Sequence, residues 1–213
     1  MKEIITNALK LCIITLVAGL LLGGVYEITK NPRENQEEKN KKNANTKVFS
    51  VADSFEELKY KDEDMKKYLE ENGYKSSAVC IDGIVTAHDS DKNIIGYVIT
   101  VTDKEGYGGN IQFTLGIQKD GTINGISFLS ISETAGVGMK AKESKFINQF
   151  KGKNVESFQY TKNGAKEDNQ IDAISGATIT TNAVTNGVNA SILAYRFITS
   201  DTENDGNGGN ADE

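Results

Sequence analysis

The stretch Asp172-Ala-Ile-Ser-Gly-Ala-Thr178 holds the residues of this chain best suited to chemistry. Ser175, Gly176 and Ala177 carry little side chain, so a ligand can approach the backbone closely. Thr178 adds a hydroxyl at the edge of that opening. Beyond it, Ile179, Ala183, Val184, Gly187, Val188, Ser191 and Tyr195 recur at helical spacing, which predicts a helix starting at the threonine. The first turn of a helix carries unpaired amides and a partial positive charge, so it welcomes phosphate. No lysine follows the glycine, which excludes a nucleotide P-loop. Two readings stand: a phosphate seat that ends in a hydroxyl, or a Ser/Thr-rich cap over a core helix.

Two further glycine-rich stretches permit close backbone approach: Gly106-Tyr-Gly-Gly109 and Glu133-Thr-Ala-Gly-Val-Gly138. Either also suits a β-turn. Neither is a dinucleotide fingerprint, because GxGxxG is absent. His88 is the sole histidine, and its surroundings, Ala-His-Asp-Ser-Asp, read as a turn between strands. No spacing supports a zinc site or a Ser-His-Asp triad, so we assign no metal ligand and no catalytic side chain. Cys12 lies in an apolar run, which argues against a disulfide with Cys80. The net charge of -6 argues against nucleic acid as a partner.

The elements that would position these residues are of mixed type. Ser54-Phe-Glu-Glu57 matches a capping box, predicting a charged surface helix to about Asn72 with Gly73 as its stop. From Ile81 to about Ser132 the hydrophobic period changes to two. Ile94–Thr102, Ile111–Ile117 and Ile123–Ile131 read as strands of an antiparallel meander, with Gly125 as a weak point or bulge. Ala141 to Phe150 reads as a short amphipathic helix. Lys151 to Gln170 reads as a hairpin or excursion around Phe158 and Tyr160. The expected fold class is α+β: an antiparallel sheet with flanking helices, preceded by one N-terminal transmembrane helix.

Leu11 to Tyr26 is an uncharged, mostly apolar run that Ile28 extends, long enough to span a membrane with snorkelling from Lys10. No Ala-x-Ala site follows, so an uncleaved anchor is favoured over a signal peptide. The expected organisation is a short tail over 1–10, an anchor over 11–28, a flexible polar linker over 29–48, a domain over 49–200 and an acidic, disordered tail over 201–213. Lys30, Arg33, Lys39, Lys41 and Lys42 after the span would place the domain in the cytoplasm by the positive-inside count.

The three stretches GYGG, ETAGVG and DAISGAT, in this order behind a single anchor, resemble the FMN-binding domain of the G subunit of the Rnf complex. More distantly they resemble the C subunit of the sodium-pumping NADH:quinone reductase. The likeness runs from about Ala78 to Phe197. It implies a covalent flavoprotein, also a phosphoprotein, with FMN esterified through its phosphate to Thr178. Asp172, Ser175, Gly176 and Ala177 would form the surrounding flavinylation motif. The family's ETPGLG loop corresponds to Glu133 to Gly138, with Ala135 in place of proline and Val137 in place of leucine. Glu133, Thr134, Gly136 and Gly138 are the expected further FMN contacts. A threonine hydroxyl is a poor nucleophile without a neighbouring base. The resemblance therefore implies a separate flavin transferase that uses FAD and a divalent metal. It also implies the other subunits of a membrane redox complex as partners and a domain on the extracytoplasmic side of the cell membrane. There, a covalent bond retains a flavin that would otherwise be lost.

Three functions follow. The first is an electron-transfer subunit of an ion-translocating ferredoxin:NAD oxidoreductase complex. The second is a stand-alone flavinylated extracytoplasmic carrier or reductase. The third is a membrane-tethered binding module without redox chemistry, in which SGAT is only a helix cap.

Overall fold

The computed structural model describes residues 1–205 and divides the chain into two compact units, Met1–Lys42 and the residues from Asn43 onward. The first unit lies within α1, Lys2–Val48, the one described helix long and apolar enough to cross a membrane. The flexible linker expected over 29–48 is instead helical. Glu, Lys, Gln and Arg are good helix formers. Arg33 pairs with Glu37 at 3.0 Å, and Gln36 Nε2 donates to Asn40 Oδ1 at 3.0 Å, both at the i,i+4 spacing that supports an exposed helix. Pro32 sits inside this helix, which forgoes the one bond its missing amide would have donated. Ala44, Asn45 and Val48 in the last turn are buried, so the second unit starts at Asn43 rather than at Phe49.

The second unit is built on a five-stranded antiparallel sheet ordered β1-β2-β3-β4-β5: β1 Ser54–Glu57, β2 Val79–His88, β3 Ile94–Asp103, β4 Ile111–Gln118 and β5 Ile123–Ser130. The meander is as expected. The capping box is not: Ser54 to Glu57 form the edge strand, paired from Ser54↔His88 to Glu57↔Val85. The side chain of Phe55 packs with Val48, Phe49, Ala87 and Val98. The helix begins only at Asp62 (α2, Asp62–Glu71) and ends before Gly73, whose φ of +91° suits a residue without Cβ. Opposite Gly116 and Ile117 the register skips Asn124, which gives the bulge expected beside Gly125.

One face of the sheet carries Ile84, Ile99, Val101, Phe113, Leu115 and Ile117 into the main core, under the long helix α4, Thr178–Asp205. Gly187 lets α4 lie close against the sheet: a Cβ there would stand 2.8 Å from the Phe113 ring. Between β5 and α4 the single expected helix over 141–150 is split into a 3-10 turn, Gly138–Lys142, and one α turn, α3 Ser144–Ile147. Phe146, Phe150 and Phe158 stack edge to face at 5.6 and 5.0 Å and bury this segment. Of the hairpin or excursion expected over 151–170, the structure gives an excursion: its strands form a parallel pair, β6 Gln159–Thr161 with β7 Gln170–Asp172. Asn189 of α4 holds it in place, accepting from Phe158 N–H at 2.7 Å and donating to Phe158 C=O at 3.0 Å. Residues 201–205 of the expected tail are helical; the rest of that tail lies outside the described residues.

Candidate functional site

The three glycine-bearing stretches, far apart in sequence, meet around one cavity of about 520 Å³. Its lining is Tyr107 from the β3–β4 loop; Glu133, Thr134, Val137 and Gly138 from the segment after β5; and Gly176 to Thr180 from the turn and first residues of α4. A hollow of this size and composition is in the range of cofactor sites, about 300–1,000 Å³.

The turn before α4 is tightly determined. Ala177 N–H donates to Ile174 C=O at 3.0 Å, closing a turn with Gly176 at φ +79°. Buried Thr181 braces it: the hydroxyl accepts from Ile174 N–H at 3.0 Å and donates to Ala177 C=O at 2.9 Å. The first helical amide bond is Thr181 N–H to Ala177 C=O, so the amides of Thr178, Ile179 and Thr180 precede the intrahelical ladder. These are the donors a phosphate needs, next to the Thr178 hydroxyl.

The other two walls are fastened to each other. Gly108 N–H donates to the buried Glu133 carboxylate, 3.3 Å from Oε1, and Gly108 lies so close to the Ser132 carbonyl that a Cβ has no room. Glu133 in turn packs on Gly138, where a Cβ would meet its Oε2 at 2.6 Å and Thr180 Oγ1 at 2.8 Å. Glycine at 108 and 138 is therefore a packing requirement. Val137 and Met139 N–H both donate to Thr134 C=O at 3.1 Å, wrapping the loop around Gly136 at φ +73°. Tyr107, Val137 and Ile179 expose 70%, 37% and 51% of their surface, so apolar side chains from all three walls face water here.

The structure sorts the expected residues. Thr178, Gly176, Ala177, Glu133, Thr134 and Gly138 line the cavity. Gly136 shapes the loop without lining it. Ser175 is exposed outside the lining. Asp172 is also outside it: Oδ1 accepts from Ala165 N–H at 2.7 Å, and its backbone exchanges bonds with Gln149. Ile179 and Thr180 were not expected in the site; their places in the first turn of the predicted helix were the signal for them. Glu133 is the one carboxylate in the lining and no lining residue is basic. His88 sits at the end of β2, with ring nitrogens against Thr86 Oγ1 at 2.8 Å and Lys92 C=O at 3.2 Å.

The family model for an FMN-binding domain matches residues 106–193, which contain all three walls. Among solved structures, the C subunit of the Na(+)-translocating NADH-quinone reductase from Parabacteroides distasonis superposes with a TM-score of 0.53 at 21% identity, covering 76% of this chain and 93% of that one. Shewanella oneidensis NqrC superposes with a TM-score of 0.51 at 20% identity, covering 73% of each chain. These two likenesses establish the fold. The G subunit of the proton-translocating ferredoxin:NAD(+) oxidoreductase complex of Clostridium ljungdahlii is 30% identical over 182 residues, 85% of this chain and 86% of the relative. The G subunit of the Na(+)-translocating ferredoxin:NAD(+) oxidoreductase complex of Acetobacterium woodii is 33% identical over 197 residues, 92% of this chain and 93% of its own length. With 30% and 33% identity to such relatives over most of their length, and with the three motifs assembled into one cavity, the chain belongs to the family of G subunits of ion-translocating ferredoxin:NAD(+) oxidoreductase complexes.

Proposed function

We propose that this protein is a membrane-anchored electron-transfer subunit of an ion-translocating ferredoxin:NAD oxidoreductase complex, and that it carries FMN through a phosphoester to Thr178. The observation that carries this reading is the position of Thr178. Its residue opens the first turn of α4 and lines the same cavity as Tyr107 and the Glu133–Gly138 loop.

The residues divide the work by chemistry. The amides of Thr178, Ile179 and Thr180 and the positive end of α4 favour phosphate oxygens. Tyr107, Val137 and Ile179 offer apolar surface to a flat ring, and Glu133 keeps the two loops at a fixed spacing. The bound flavin supplies the electron transfer, and no side chain is assigned a catalytic role. Glu133 is already engaged by Gly108 N–H, and no histidine or lysine lines the cavity to activate the hydroxyl. Attachment therefore falls to a separate flavin transferase, with FAD as donor and a divalent metal. The remaining subunits of the complex are the partners. The anchor is the apolar part of α1, and the domain lies on the extracytoplasmic side, where covalent retention is of most use.

The test is the intact mass of the full chain produced with and without an active flavin transferase. The expected result is a mass gain of one FMN less water, absent in Thr178→Ala, whose thermal melt stays near that of the wild type. No mass gain beside an active transferase, or a gain that survives Thr178→Ala, refutes the proposal.

A further inference from the structure

Behind the loop that carries Tyr107 lies a second hollow of about 430 Å³, lined in part by Asn72, Tyr74, Lys75, Asp103, Glu105 and Asn186. Asp103, the last residue of β3, is completely buried. Its Oδ1 accepts from Glu105 N–H at 2.8 Å. Its Oδ2 has no hydrogen-bond partner among the described residues. A buried oxygen left so is costly, and native chains keep few of them.

The geometry gives this carboxylate a task. The loop from Lys104 to Asn110 is fastened by two buried carboxylates, Asp103 through the Glu105 amide and Glu133 through the Gly108 amide. Tyr107 stands between these two anchors and reaches the cavity. The Glu133 anchor belongs to the cavity itself; the Asp103 anchor faces the second hollow. We propose that Asp103 is a positioning residue for the candidate flavin site: its carboxylate, gripping the Glu105 amide, sets the loop that presents Tyr107, and taking up a proton loosens that grip and lets the rim relax. The significance for flavin rests on the FMN reading; the latch does not.

Burial raises the Asp103 carboxyl from the ordinary 3.8 to about 6, and the neighbouring Glu105 charge pushes the same way, while the Glu105 amide opposes both. A charged acceptor grips an amide about twice as strongly as a neutral one. Above this pH the latch is closed, and below it the latch is weakened. Other polar groups around Asp103 are Lys75 and Tyr74 from the turn after α2, Lys104 beside it in the chain and neutral Asn186 from α4. Its strand partners, Val79 on β2 and Ile111 on β4, are apolar.

The experiment follows the backbone amide resonances of Glu105, Gly108 and Gly109 in the flavin-free full chain in detergent, from about pH 4.5 to about pH 8. The expected result is a shared midpoint near 6 at all three amides, with amides in the middle of β3 and β4 unchanged, and its loss in Asp103→Asn. In Glu105→Gln the midpoint moves down, because the charge that raises it is gone. This exposed substitution keeps the test decisive if Asp103→Asn folds poorly. If Gly108 and Gly109 do not follow Asp103, or if the transition survives Asp103→Asn, the latch is refuted. A failed flavinylation assay would leave this titration intact, so the two proposals fail separately.

Discussion

Gly138→Ala tests whether the two loops and the start of α4 form one packed unit. The backbone at Gly138 is not in the left-handed region, so the cost is steric alone. The new methyl would stand 2.6 Å from Glu133 Oε2, 2.8 Å from Glu133 Cβ and 2.8 Å from Thr180 Oγ1. Each contact is well inside ordinary van der Waals distance, so the Glu133 side chain must move. Moving it breaks the bond to Gly108 N–H, the link between the loops. Overpacking costs about 1–3 kcal/mol, and a lost bond to a charged group about 1.5–3 kcal/mol. These terms overlap because Glu133 can turn towards solvent, so about 2 kcal/mol is expected. For a unit of this size that lowers Tm by roughly 4–8 °C. The assay is a thermal melt of the flavin-free protein, paired with the Gly108 amide resonance and with flavin incorporation by transferase. An unchanged melt and an unchanged Gly108 amide would refute the packed-unit argument, whatever the flavin content.

Gly187→Ala places a methyl 2.8 Å and 2.9 Å from Phe113 ring atoms at the crossing of α4 with the sheet; helix propensity returns about 1 kcal/mol, overpacking takes about 1–3 kcal/mol, and denaturant melts should show a net loss of up to about 2 kcal/mol. Asn189→Ala leaves both polar groups of the Phe158 backbone unpaired in the interior, and a loss of about 3 kcal/mol is expected from the same melts. Asp103 gives a pH signature. Its folded pKa of about 6 lies above the ordinary 3.8, so the folded state binds the proton more tightly and gains stability as pH falls from above 6 to below 3.8. The stability of Asp103→Asn relative to wild type should therefore fall by up to about 3 kcal/mol between neutral pH and about pH 4; urea melts at the two pH values would measure it, and a constant difference would contradict the burial of this charge.

What was legible in the sequence was whatever a local period or a small-residue motif could encode. The β-branched alternation of Ile94 to Thr102 and Ile111 to Ile117 gave the central strands. Gly176-Ala-Thr178 gave the helix start at the threonine. The misreadings arose where one local pattern serves two structures. Ser54-x-x-Glu57 suits a helix cap, yet pairing with His88 to Val85 makes it a strand. A Lys/Glu/Asn-rich run holding a proline suits a tether, yet side-chain pairs such as Arg33–Glu37 carry the helix through it. The three-residue strands β6 and β7 are too short to show a period. Asp172 was named by its motif; its bonds to Ala165, through Oδ1, and to Gln149, through its backbone, are tertiary contacts that the motif does not encode. The place of Tyr107 in the cavity lining depends on Gly108 lying against Ser132, a tertiary contact that GYGG does not encode.

The cavity draws its walls from residues 107, 133, 134, 137, 138 and 176–180, so the chain must close two large loops before all of its lining exists. A freely dissociating ligand would reward that closure only while its concentration exceeded its Kd. A ligand esterified at Thr178 instead remains at a fixed local concentration through every opening of the domain. Dilution could not strip it, and each refolding event would begin with the ligand already on the chain. Flavinylation would then serve as a molecular memory of having once been matured: a modified chain that opens transiently can recover its complete site without meeting the transferase again.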